Sequence, residues 1–203
     1  MPVVAAALII LGGYLLGSAP FGYWIVRLFR HEDIRTKGSG NIGATNVWRV
    51  YGRWLGVPVI VLDVAKGFIP AYVGVKVSGE LVGVLAGAAA MAGHWRPLYL
   101  RFAKGGKTVA TAGGVAFALA PLAAGCCLVT WLVVFVIFRY SSLASIVTAL
   151  ALPVYIWALG GDWPAITFGA LAALAVLLLH KANIRRLLKG TENRFHFRGT
   201  ARA

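Results

Sequence analysis

Acidic residues are scarce in this chain: 6 Asp and Glu stand against 20 Lys and Arg in 203 residues, a formal net charge of +14. Charge of either sign is sparse as well. Charged residues make up 13% and hydrophobic residues 60%, whereas a soluble domain carries about 25% charged residues. A soluble globule of this size would leave much of that apolar surface wet. A soluble enzyme, a secreted disulfide scaffold and a disordered tail are therefore excluded. Only two cysteines occur, Cys126 and Cys127, adjacent in an apolar run. Adjacent cysteines rarely bridge each other, and no Cys/His cluster has metal-ligand spacing. A basic flank ahead of the first apolar stretch is also missing. Secretory signals carry one, so an uncleaved first helix with its N-terminus outside is expected.

What remains is a polytopic pattern. Apolar runs lie at about 3–25, 55–75, 81–96, 108–121, 122–138, 143–159 and 164–180. Thr108 to Phe138 holds no charge. As one helix it would run roughly 46 Å, too long for a hydrocarbon core of about 30 Å. Pro121 divides it into two. With seven helices, the 26–53 loop, the 96–107 loop, Arg139 and the C-terminal tail share one side. They hold six, four, one and seven of the 20 basic residues. The expected fold is an all-α membrane protein, one domain over 1–203, with seven spans, N-terminus outside and C-terminus cytoplasmic. Gly13 and Gly17, and Gly79, Gly83 and Gly87, recur every four residues and predict close helix packing. The positive charge is spread over four anchored loops, which suits anionic lipid better than nucleic acid.

Three basic-side segments are too specific for topology signals alone. In Lys37-Gly38-Ser39-Gly40-Asn41-Ile42-Gly43-Ala44-Thr45-Asn46-Val47-Trp48-Arg49, glycines expose backbone N–H groups and Arg49 can clamp an oxyanion. The second holds Gly93-His94, then Lys104-Gly105-Gly106-Lys107-Thr108 ahead of an apolar helix. A helix N-terminus after two lysines suits phosphate. Gly106-Lys107-Thr108 matches the end of a nucleotide P-loop, but position 101 is Arg where that motif needs glycine. A small phosphate metabolite fits better than ATP. The third is His180-Lys181-Ala182-Asn183, followed by Arg186-Leu187 and Glu192; His180 and Asn183 are spaced to share a helix face. Asp63 and Lys66, three apart within the second span, read as an ion pair. Missing are an acidic pair for a divalent metal, a G-x-S-x-G elbow and a His-x-x-x-x-Asp dyad.

Together these segments, with Asp63…Lys66-Gly67 and Ser142-Leu143-Ala144-Ser145, resemble the bacterial acyl-phosphate:glycerol-3-phosphate acyltransferase (PlsY) family, in order and over nearly the whole chain. The resemblance implies transfer of a fatty acyl group from acyl phosphate to the 1-hydroxyl of glycerol 3-phosphate. The products are lysophosphatidate and phosphate, in the first step of phospholipid synthesis. It implies catalytic roles for Ser39, Arg49, Ser142, His180 and Asn183. It places substrate phosphate on Lys104, Gly105, Gly106, Lys107, Thr108, Asn41 and Asn46, and gives structural roles to Asp63, Lys66 and Glu192. Thr108 departs from the pattern, standing where the family usually has glycine. No metal, cofactor, nucleic acid or obligatory protein partner is implied; the partners are the two substrates and membrane lipids. The location implied is the bacterial inner membrane, with the site facing the cytoplasm. A permease for organophosphate anions is the alternative, although transporters bind ligands near the midplane and here the ionisable residues gather on one side.

Overall fold

The computed structural model describes residues 2–195. The C-terminus, with Arg198 and Arg202 of the basic tail, lies outside them. The described residues form ten α-helices and no strand: α1 (Pro2–Gly17), α2 (Phe21–Arg30), α3 (Ala44–Tyr51), α4 (Arg53–Ser78), α5 (Glu80–Trp95), α6 (Val109–Leu119), α7 (Pro121–Phe138), α8 (Ser141–Ala158), α9 (Trp163–Leu179) and α10 (Lys181–Leu188).

The helices follow the apolar runs, with three differences. The first run is broken: Ser18 N–H donates to Tyr14 O, Ala19 N–H to Leu16 O, and Pro20 has no N–H with which to continue. The chain also bends by 63° between α9 and α10, so His180 caps one helix and precedes the next rather than sharing a continuous helix with Asn183. Gly79 is not a packing glycine. It has φ 89° and joins α4 to α5, with nothing near the place its Cβ would occupy. A reversal of direction needs the left-handed region. The split at Pro121 is present, with proline opening α7, where its missing N–H costs nothing.

Four stretches are long and apolar enough to cross a membrane: Val3–Arg30, Arg53–Ser78, Pro121–Phe138 and Ser141–Ala158; the bent α9–α10 pair is a fifth. Helices α5 and α6, with 16 and 11 residues, fall short of the usual ~20.

α4 packs against α1, α3, α5 and α6. A methyl on Gly17 would strike the Ala90 backbone, and one on Gly74 would strike Gly83, so α1 and α4 approach α5 almost backbone to backbone. One apolar cluster joins α6–α9 around Val115, Leu152, Ile156 and Phe168. A second, Val26, Ile34, Ile42, Val47 and Val59, pins the first loop onto α2 and α4. The outer face of α7 leaves Leu122, Val129, Val133 and Val136 exposed, as a helix facing lipid does.

Candidate active site

The first loop is built around one amide. Asn46 is 3% exposed; its Oδ1 accepts from Ser39 N–H, and its Nδ2 donates to Lys37 O and Asn41 O. That amide is spent inside the loop, so Asn46 shapes the loop instead of reaching a phosphate. Asn41 accepts from Gly43 N–H and donates to Gly105 O, which ties the first loop to the second. Ser39 and Arg49 are left exposed beside it.

The glycine loop also differs from expectation. Gly105 N–H donates to Trp95 O at 2.9 Å and Gly106 N–H to His94 O at 3.0 Å. These bonds satisfy carbonyls at the end of α5, so the two glycines do not offer their N–H groups to an anion. Gly106 lies flat against the His94 ring, where a Cβ would clash. The N–H groups of the α6 first turn begin beyond it. Thr108 holds φ 63°, the left-handed region where a β-branched residue is strained and glycine is not. This conformation accounts for glycine at that position in the pattern above. The Thr108 hydroxyl is buried without a hydrogen-bond partner.

Lys107 donates to Asn183 Oδ1. The Asn183 Nδ2 donates to Glu192 Oε1 at 2.6 Å, and Ser142 Oγ donates to the same oxygen at 2.7 Å. Arg186 pairs with Glu192 Oε2 at 2.6 Å. Burial pushes the Glu192 carboxyl up, but the bonds from Ser142, Asn183 and Arg186 outweigh it and hold it below the ordinary value. Burial lowers the Lys107 ammonium to about 8; Glu192 holds it up, while Arg186, Lys104 and Arg49 push it down. Lys107, Arg49 and Arg186 thus share the one carboxylate of Glu192, with Lys104 close enough to act on Lys107, an excess of positive charge suited to an incoming anion.

His180 is 3% exposed, with Nδ1 2.8 Å from Val176 O. A carbonyl only accepts, so Nδ1 carries the proton and Nε2 keeps its lone pair in the neutral ring. Among the described residues no serine hydroxyl is hydrogen-bonded to a histidine. Deeper in the bundle, Lys66 pairs with Asp63 Oδ1 at 2.8 Å and donates to Ala19 O, bracing the break between α1 and α2. His94 Nδ1 lies 3.7 Å from the same Asp63 oxygen. An apolar groove of about 310 Å³ opens between α5 and α9, with Thr108 among its lining residues.

Three residues were not singled out by their own chemistry. Arg186 follows Asn183 at i+3 on α10, which the helical spacing could have shown. His94, buried beneath Gly106, looks like an interfacial residue in one dimension. Phe195 donates its N–H to Arg139 O and packs its ring on Trp48 and Phe135. It anchors the strap that carries Glu192, and no local pattern announces that contact.

A family model for glycerol-3-phosphate acyltransferase matches residues 7–190. The chain is 46% identical over 199 residues to the glycerol-3-phosphate acyltransferase of Desulforudis audaxviator, covering 98% of this chain and 100% of that one. The Rhodospirillum rubrum protein of that name is also 46% identical, over 203 residues, with 96% and 93% covered. The fold is similar to the crystal structure of PlsY (YgiH), an integral membrane glycerol 3-phosphate acyltransferase. Its glycerol 3-phosphate form gives a TM-score of 0.91 at 41% identity, covering 95% of this chain and 96% of that chain. Its lysophosphatidic acid form gives 0.88 at 40% identity over the same shares.

Proposed function

The chain belongs to the glycerol-3-phosphate acyltransferase family, all-helical and membrane-embedded, and from that premise we propose that it uses acyl phosphate as donor and acylates the 1-hydroxyl of glycerol 3-phosphate. The products are lysophosphatidate and inorganic phosphate. The observation that carries this reading is the cluster of Arg49, Lys107 and Arg186 on the carboxylate of Glu192, with Lys104 beside Lys107, at the mouth of an apolar groove. Two phosphate anions, one of them with a fatty tail, match that surface.

The hydroxyl oxygen of glycerol 3-phosphate attacks the acyl carbonyl carbon. A carbon–oxygen ester bond forms, and the bond to the phosphate oxygen breaks with its electron pair leaving on phosphate. The hydroxyl proton passes to the departing phosphate or to His180 Nε2. Lys104 and Lys107 hold the acceptor phosphate; Arg49 and Ser39 face the donor phosphate and the developing oxyanion. Ser142 and Asn183 are oriented by Glu192 and keep the cationic wall in register. Because the donor is activated, alignment supplies much of the acceleration, and the acyl group passes directly without a serine ester.

The whole 1–203 chain acts as one domain in this reading, needing neither cofactor, metal nor obligatory protein partner. It crosses a bacterial inner membrane seven times, N-terminus outside, with the site on the cytoplasmic face. The short α5 and α6 cross where packing on α4 shields them. The deciding experiment incubates purified protein, without added metal, with glycerol 3-phosphate and either palmitoyl phosphate or palmitoyl-CoA. Lysophosphatidate is expected from palmitoyl phosphate alone. Product from palmitoyl-CoA alone overturns the donor, and an acyl-Ser39 adduct trapped in quenched reactions overturns direct transfer.

A further inference from the structure

We propose that the groove between α5 and α9 is a ruler that sets the length of the acyl chain, with Thr108 at its head and Val84 and Phe168 at its foot. The inference rests on the acyl-transfer reading above and adds what that reading leaves open, the chain-length preference.

Helices α5 and α9 run in the same direction. Glu80 at the start of α5 and Asp162 ahead of α9 lie close enough to act on each other's charge. At the other end, Trp95 leads into the loop of Lys104 and Lys107, and Leu179 leads into His180. The groove therefore points its head at the reacting groups and its foot toward the opposite face. Its α5 wall is Val84, Ala88, Met91, Ala92 and Trp95; its α9 wall includes Phe168, Ala172, Ala175 and Leu179. Each wall is a helical stripe of the same extent, about 16 Å from end to end.

Shape along the groove is uneven. Ala88 and Ala92 on α5 and Ala172 and Ala175 on α9 keep the middle open beside Met91, so a chain can lie there. Val84 and Phe168, larger side chains, stand at the foot. Thr108 supplies the only hydroxyl in the lining, and that hydroxyl is buried without a hydrogen-bond partner. A polar atom at the junction of an apolar trough and a cationic cluster marks where the carbonyl of an acyl phosphate sits. The occupant is thus the acyl chain, continuous with the phosphate site.

A saturated chain advances about 1.3 Å per carbon, from C–C bonds of ~1.5 Å, so the groove holds a chain of roughly 14 carbons. The donor arrives from lipid, and its entry removes no apolar surface from water. Burial therefore contributes little to selection. Discrimination comes from fit at the foot, where a longer chain must turn out past Phe168.

The test measures kcat/KM of the purified full-length protein for acyl phosphates from decanoyl to eicosanoyl, in wild type, Ala88→Phe and Phe168→Ala. Ala88 is exposed, so phenylalanine there blocks the trough without overfilling the core. It stands about 10 Å from the head by helical rise. Ala88→Phe is expected to raise the decanoyl-to-palmitoyl ratio about tenfold, and Phe168→Ala to raise the eicosanoyl-to-myristoyl ratio about threefold. The KM for glycerol 3-phosphate should stay within about twofold. If Phe168→Ala does not fold, Phe168→Leu takes its place, with a smaller rise in the same ratio expected. Unchanged ratios in active Ala88→Phe overturn the ruler and leave the groove to bilayer lipid. Inactivity of wild type toward every acyl phosphate overturns the donor reading instead; the same series with acyl-CoA then decides the ruler by the same ratio.

Discussion

Lys107 sits where a positive charge is hard to keep. Burial brings its ammonium from an ordinary 10.5 to about 8, near working pH, and phosphate binding needs the charged form. As pH rises through 8 the proton is lost from the free protein. The KM for glycerol 3-phosphate should therefore rise about tenfold between pH 7 and pH 9, read from initial rates. Lys107→Arg, which stays charged, should flatten that rise. Unfolding is a separate matter. Between about 8 and 10.5 the unfolded chain binds more protons at this group than the folded one, so its contribution to stability increases with pH there. A thermal scan at both pH values separates the two effects. Lys107 was legible as an anion ligand from Lys104-Gly105-Gly106-Lys107. Its bond to Asn183, 76 residues away, was not, because spacing along a chain carries no information about such a contact.

Among the elements, α4 carries the costliest feature, Asp63 and Lys66 buried side by side. The spacing of i and i+3 made the pair readable in advance. Its attachment to Ala19 O and its approach to His94 were not readable, since they depend on how α1, α4 and α5 pack. Asp63→Asn leaves a buried ammonium without its partner and should cost about 3–5 kcal/mol, measured by thermal unfolding in detergent. Asp63→Leu combined with Lys66→Met should cost less than either change alone, because no charge then stays buried unpaired. Helix limits followed hydropathy well at Pro121 and poorly at Ser18–Pro20, where the apolar run continues through a backbone break.

Topology belongs to the whole molecule. In a background of Cys126→Ala and Cys127→Ala, Thr36→Cys and Asp162→Cys place single thiols at exposed positions, which the proposed seven-span arrangement puts on opposite faces. A membrane-impermeant maleimide added to spheroplasts should label Asp162→Cys directly and Thr36→Cys only after lysis. The reverse pattern would invert the orientation. Labelling of both without lysis would break the seven-span arrangement.

Hydropathy was enough for membrane class and for most helix positions, because lipid penalises every exposed polar group locally and residue by residue. Motif order was enough for the family. The assignments inside the site came only from packing. Asn46 turned inward because its amide fills the loop it closes. The Gly105 and Gly106 N–H groups went to the end of α5 because helix carbonyls there needed donors. Thr108 took a left-handed conformation from the docked loop before it. Glu192 became the hub of Ser142, Asn183 and Arg186 because Phe195 fastens the strap on α3 and α7. Each of these is a bond between distant parts of the chain, and distance in sequence is blind to it.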